Sequence, residues 1–197
     1  MLDTTDIQRS LKGAWRVMTG RPDGMRMLDT SLEGFWDSFF AIIVAFPALA
    51  IGWFASADTF VQYIEGVSRA SIVVRLAIVD LAVWLLPLII LGLVAKQVGI
   101  ADRFVHYVVS GNWASAVLVW MMVPPSLLKL VAPDTADFAS MLSLALFLLS
   151  MVLTWRQTNV ALAKGPGLAT AVFVAMFVCA LLVLIVTQGL LGLDSPY

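Results

Sequence analysis

The chain has 197 residues, 61% of them hydrophobic and 13% charged, with a formal net charge of −1 and a mean hydropathy of +0.95. A soluble domain carries roughly 45–50% apolar and about 25% charged residues, so this excess calls for an exterior that is apolar too, as in lipid. The near-neutral balance excludes the basic field of a nucleic-acid binder, and one cysteine (Cys179) with one histidine (His106) excludes an internal disulfide or a Cys/His metal cluster.

In chain order, residues 1–30 read as a cytoplasmic amphipathic segment. Its first apolar run begins only near Leu32, so no cleaved signal peptide is expected. Over 5–19, Ile7, Leu11, Ala14, Trp15 and Met18 share one helical face, and Arg9, Lys12 and Arg16 lie mostly off it. Such a helix fits either the lipid headgroup region, through Arg9, Lys12, Trp15 and Arg16, or the protein's own cytoplasmic face. Arg21-Pro22-Asp23-Gly24 is a turn signal, and Thr30-Ser31-Leu32-Glu33 has capping-box spacing. Asp37 reads as an interfacial charge near a helix N-terminus.

The remainder, 31–197, is expected to form an all-α polytopic bundle of five transmembrane spans. They are placed at about 33–55, 71–95, 113–131, 137–160 and 167–190, each long enough for roughly 30 Å of hydrocarbon. Pro47 is expected to kink the first span and Pro124-Pro125 to bend the outer part of the third. Residues 56–70 read as an external loop, with or without a short interfacial helix. Residues 96–112 read as a cytoplasmic connection, with any short helix there ending near Gly111-Asn112. Ala132-Pro133-Asp134 and Ala163 to Gly167 are turns, and Leu191 to Tyr197 is a terminal stub.

The charges set an orientation. Arg9, Lys12, Arg16, Arg21, Arg26, Lys96, Arg103, Arg156 and Lys164 fall on the cytoplasmic side, and Arg69, Arg75 and Lys129 on the other, nine of the twelve bases against three. The outer connections are acidic through Asp58, Glu65, Asp134, Asp137 and Asp194. Trp36, Trp53, Trp113 and Trp155 fall at the expected span ends, as an aromatic belt requires. The N-terminus is therefore expected in the cytoplasm and the C-terminus in the periplasm of a bacterial inner membrane.

Three features are candidates for function. Asp80 lies about 12 Å into the second span at 1.5 Å per residue. An unpartnered acid there costs at least about 2.5–3.5 kcal/mol, so it is expected to face the bundle interior, to be protonated or to have a partner. Arg75 on its own helix, and Lys129 and Gln188 on other spans, are the candidates for an ion or proton site, or for a structural clamp. Gly167, Ala171, Ala175 and Cys179 recur every four residues and form a small-residue stripe, for packing inside the bundle or against a partner. Ala48 and Gly52 make a weaker version. Trp84 and Trp120 read as core fillers, and His106 as an interfacial histidine of the 96–112 connection.

No nucleotide-binding loop, nucleophile elbow, paired carboxylate array or bis-His spacing occurs. No cofactor or metal is expected. The stretch Ser31-Leu32-Glu33-Gly34-Phe35-Trp36-Asp37-Ser38-Phe39-Phe40 resembles the start of small uncharacterised bacterial inner-membrane proteins. Five spans after a cytoplasmic segment resemble the Yip1-like membrane proteins in topology. The reading is a non-enzymatic scaffold or accessory subunit in the lipid bilayer, with a membrane-protein partner or a second copy. The alternatives are a small transporter or ion conductor using Asp80, and a lipid-modifying enzyme using Asp80 and Arg75.

Overall fold

The computed structural model describes residues 3–64 and 66–193, with the side chains of Tyr63 and Pro133 left out. Glu65, Asp194 and the rest of the terminal stub lie outside the described residues. Every regular element is helical: α1 (Thr4–Met18), α2 (Leu32–Asp37), α3 (Ala41–Tyr63), α4 (Arg69–Val94), α5 (Phe104–Met121), α6 (Val123–Val131), α7 (Ala136–Leu162) and α8 (Pro166–Leu190). Among the described residues, five stretches are long and apolar enough to cross a membrane: Leu32–Gln62, Arg69–Val94, Phe104–Val131, Ala136–Leu162 and Pro166–Leu190. The chain is therefore built as a multi-pass membrane protein.

The first and third spans are longer than hydropathy suggests. Mixed residues that read as connections continue the helix, because length beyond the hydrocarbon is not penalised in the headgroup region. Asp58, expected in a loop, sits within α3, pairs with Arg69 at 3.0 Å, and Arg69 caps the Phe54 ring at 5.6 Å. The third span begins at Phe104, so His106 and Asn112 lie within helix rather than in a connection. Trp53 and Trp113 then fall well inside their spans, not at interfaces. Trp36, 66% exposed, does lie near a span start.

The prolines act as their chemistry dictates. Pro124 and Pro125 open α6, where a missing N–H costs little, so the third span breaks at Met122. Pro47 stays inside α3 and loosens its ladder one turn earlier. There Trp120 Nε1 donates to the Val44 carbonyl at 2.9 Å, so Trp120 is a cross-helix donor rather than a filler.

The spans close into a ring. α3 packs on α4, α4 on α8, α8 on α7, α7 on α5, and α5 on α3, with α6 filling the gap between α3 and α7. α1 lies against α5 and α7 at one end of this ring. Ala14, Val17 and Met18 are fully buried there, with Ile7 and Leu11 packed beside them. Trp15, expected on the same face, is instead 45% exposed at the edge of that contact, with Arg9 and Lys12 also exposed. Gly13 and Gly24 permit α1 to meet its following turn. A Cβ on Gly24 would stand 2.6 Å from the Gly13 carbonyl oxygen. Arg16 pairs with Asp23 across the same contact.

Candidate functional site

The spans line a partly open cavity of about 380 Å³. α4 contributes Asp80, Val83, Trp84, Pro87 and Leu88, and α5 faces it across the gap with Tyr107, Asn112 and Ser115. α7 adds Met151, Thr154 and Gln157, and α8 adds Phe173 and Phe177. The volume falls within the range of small-molecule sites, about 300–1,000 Å³, and so does the pattern of mainly apolar walls with a few polar groups.

The polar groups are organised before any ligand arrives. Asn112, 1% exposed, accepts from Trp84 Nε1 at 3.0 Å and donates to Ser38 Oγ at 2.9 Å. Gln157, 2% exposed, donates to Ser110 Oγ at 2.8 Å and to the Tyr107 carbonyl at 3.3 Å. Thr158 Oγ1 donates to Gln157 Oε1 at 3.4 Å. These amides sit in a place without water, where an unmatched polar group is costly, and they are matched by protein.

Asp80 is half-buried and takes a hydrogen bond on Oδ2 from Trp53 Nε1 at 2.6 Å. Among the described residues, no bond reaches it from Arg75, Lys129 or Gln188. Arg75 turns the other way and donates to the Leu191 carbonyl at 2.8 Å, next to the end of α8. The 140° offset between positions five apart on a helix separates the two: one side chain meets α3, the other α8. Lys129 is exposed in the last turn of α6, and the Gln188 carbonyl accepts from the Leu191 and Leu193 amides. The expected four-residue ion site is thus not assembled. Asp80 stands in the cavity with a tryptophan for a partner.

Of the two places open to the small-residue stripe, inside the bundle or against a partner, the structure leaves it on the outside of α8. Ala169 and Val172 are the buried positions of α8, with Leu168 and Met176 packed alongside. Gly167, Ala171 and Ala175 face outward, Cys179 is half-exposed, and a Cβ on Gly167 would meet nothing within 4 Å.

At the end of the ring that carries α1, Lys164 ties two connections together. It pairs with Asp102 at 2.6 Å and donates to the Gly99 carbonyl at 2.7 Å. That hydrogen bond, with the positive charge behind it, holds the Asp102 carboxyl below the usual carboxylate range. Arg16 does the same for Asp23. His106 occupies the first turn of α5, with Nδ1 buried and without a hydrogen-bond partner among the described residues.

No family model, curated protein or solved structure matches the chain. The likeness to Yip1-like proteins is one of span number, and no residue role is transferred by it. No group of three or more metal-ligating side chains occurs among the described residues.

Proposed function

We propose that this protein takes up a small solute in its central cavity and passes it across the membrane, without covalent chemistry. The observation that carries the reading is the ring of five spans around an intramembrane cavity of about 380 Å³ whose wall holds Asp80. A bundle serving only as a scaffold gains nothing from such a space, since filling it with side chains would add dispersion contacts. α4 and α5 face each other across the cavity, with α3 closing one side and the packed pair α7 and α8 the other. The charge asymmetry supports a cytoplasmic N-terminus, in a bacterial inner membrane.

Water access tests this. With Cys179 replaced by alanine, single cysteines at Ser115 and Thr154 are exposed to membrane-impermeant maleimide from each face of oriented vesicles. Labelling of the same position from both faces is expected of a transported-solute path. Absence of labelling from either face, with full labelling after unfolding, would refute the reading.

The scaffold or accessory-subunit reading keeps one specific observation, the outward small-residue stripe of α8. Such stripes let a second helix approach closely in lipid. A disulfide between two copies through Cys179 under mild oxidation supports a homo-oligomer. Co-purification of a different membrane protein, lost in Ala171→Leu, supports a partner subunit.

A further inference from the structure

Resting on the cavity reading, we infer that the solute is a compact organic cation, an ammonium group on an apolar body, which binds with its charge at Asp80. The argument is a count of the hydrogen-bonding capacity that the cavity has left over. Both functional ends of the Asn112 amide are engaged, its oxygen by Trp84 and its nitrogen by Ser38. The Gln157 nitrogen is shared between Ser110 and the Tyr107 carbonyl, and its oxygen accepts from Thr158. Trp84 spends its one N–H on Asn112, and Trp53 spends its one N–H on Asp80.

What is left is one Asn112 N–H, without a partner among the described residues, and acceptors in greater number. Trp53 occupies Oδ2 of Asp80, and Oδ1 has no partner among the described residues. A carboxylate oxygen is a strong acceptor and the natural counter-charge for a cation. Pro87 adds to the same balance: lacking an N–H, it leaves the Val83 carbonyl without its helical donor, and both residues line the cavity. The hydroxyls of Ser115 and Thr154 can accept or donate. No Lys, Arg or His lines the space, so an anion would find no partner of opposite sign.

The rest of the wall suits the apolar body of such a ligand. Trp84, Phe173 and Phe177 line the cavity together with Asp80. Aromatic faces attract ammonium groups, more strongly when water is excluded. A neutral polar solute would satisfy the acceptors but offer no counter-charge to the carboxylate form of Asp80. An ammonium donor satisfies both requirements with one group.

The test uses the whole protein in nanodiscs and three probes of matched size and shape: phenethylamine, 2-phenylethanol and phenylacetate. Binding is read by isothermal titration at neutral pH. The amine is expected to bind best, the alcohol about ten- to a hundredfold more weakly, as for loss of a charged hydrogen bond out of water, and the carboxylate not at all. Asp80→Asn keeps an acceptor for Trp53 and is expected to bring amine affinity down to that of the alcohol, while Asp80→Glu retains the preference. Equal binding of amine and alcohol, or better binding of phenylacetate, would overturn the cation inference and leave the cavity reading standing. Binding of none of the three, together with no maleimide labelling of the cavity cysteines, would overturn both. Because the ranking is made on the unaltered chain, it decides the matter even where Asp80→Asn does not fold.

Discussion

Replacing Asn112 by leucine removes the clamp that spans the cavity. One amide joins three spans here, through Ser38 beside α3, Trp84 on α4 and its own place on α5. Leucine is close to asparagine in shape, so packing is largely kept and two interhelical hydrogen bonds are lost. Such bonds in membrane proteins average about 0.6 kcal/mol and reach about 1.7 kcal/mol, so the pair sets a cost between about 1.2 and 3.4 kcal/mol. The two ends are unequal. Ser38 Oγ donates to the Phe35 carbonyl at 2.7 Å whatever stands at 112, so its proton keeps a partner. The Trp84 N–H has no other acceptor among the described residues, and most of the cost falls there. The assay is reversible unfolding in mixed micelles of Asn112→Leu, Trp84→Phe and the double variant. The coupling energy is expected at about 0.6–1.7 kcal/mol, with Asn112→Leu cheaper once Trp84 is gone. Additivity within about 0.3 kcal/mol would show that the two side chains do not support each other and refute the clamp.

Gly24→Ala pushes a methyl into the Gly13 carbonyl and the Arg16 stem; a loss of about 1–3 kcal/mol is expected, with faster tryptic cleavage near Arg16 and Arg21, and an unchanged cleavage rate would count against the close contact. The Asp23 and Asp102 carboxyls titrate below the usual range when folded, so between folded and unfolded values the unfolded chain binds more protons and stability rises with pH. Their contribution is present above about pH 4 and is lost on further acidification; the melting temperature should fall there, and Asp102→Asn should flatten part of the fall. Asp58 and Arg69 have side chains about half exposed, 51% and 50%, so Asp58→Asn should change stability by less than about 1 kcal/mol; a loss above about 2 kcal/mol would mean that this pair is shielded in the membrane.

The bundle was legible in the sequence because a span of helix announces itself by composition alone, through some twenty residues that can be satisfied only in lipid. The site was less so, and the reason is specific. Gly111-Asn112 has the composition of a helix stop, and reading it so placed Asn112, Ser110 and His106 in a connection and started the span nine residues late. A buried asparagine and a capping asparagine look alike in one dimension; the difference lies in what Trp84 and Ser38 do, 28 and 74 positions away. The tryptophans misled in the same way: Trp53 and Trp113 sit at the edges of the apolar windows yet inside the helices, and one of them is the partner of Asp80. A usable sign was present. Asn112, Ser115, Thr154 and Gln157 are among the amide and hydroxyl residues of otherwise apolar stretches, and polar groups at that depth need each other. The outward turn of the α8 stripe was not legible, because a row of small residues gives its spacing but not the side from which a neighbour comes.

The seat of α1 bears on how the chain is made. α1 precedes the spans in the chain and meets its following turn at once, but the rest of its apolar face has no surface to rest on until α5 and α7 exist, and α7 ends only at Leu162. During translation the segment must therefore stay in a transient state, at the membrane surface or on a chaperone, while four spans are inserted. Contacts between distant parts of a chain are slow to form and leave apolar surface uncovered meanwhile. The docking of α1 is thus a late event, and truncations ending before residue 162 should leave the N-terminal segment open to protease even when the earlier spans are correctly threaded.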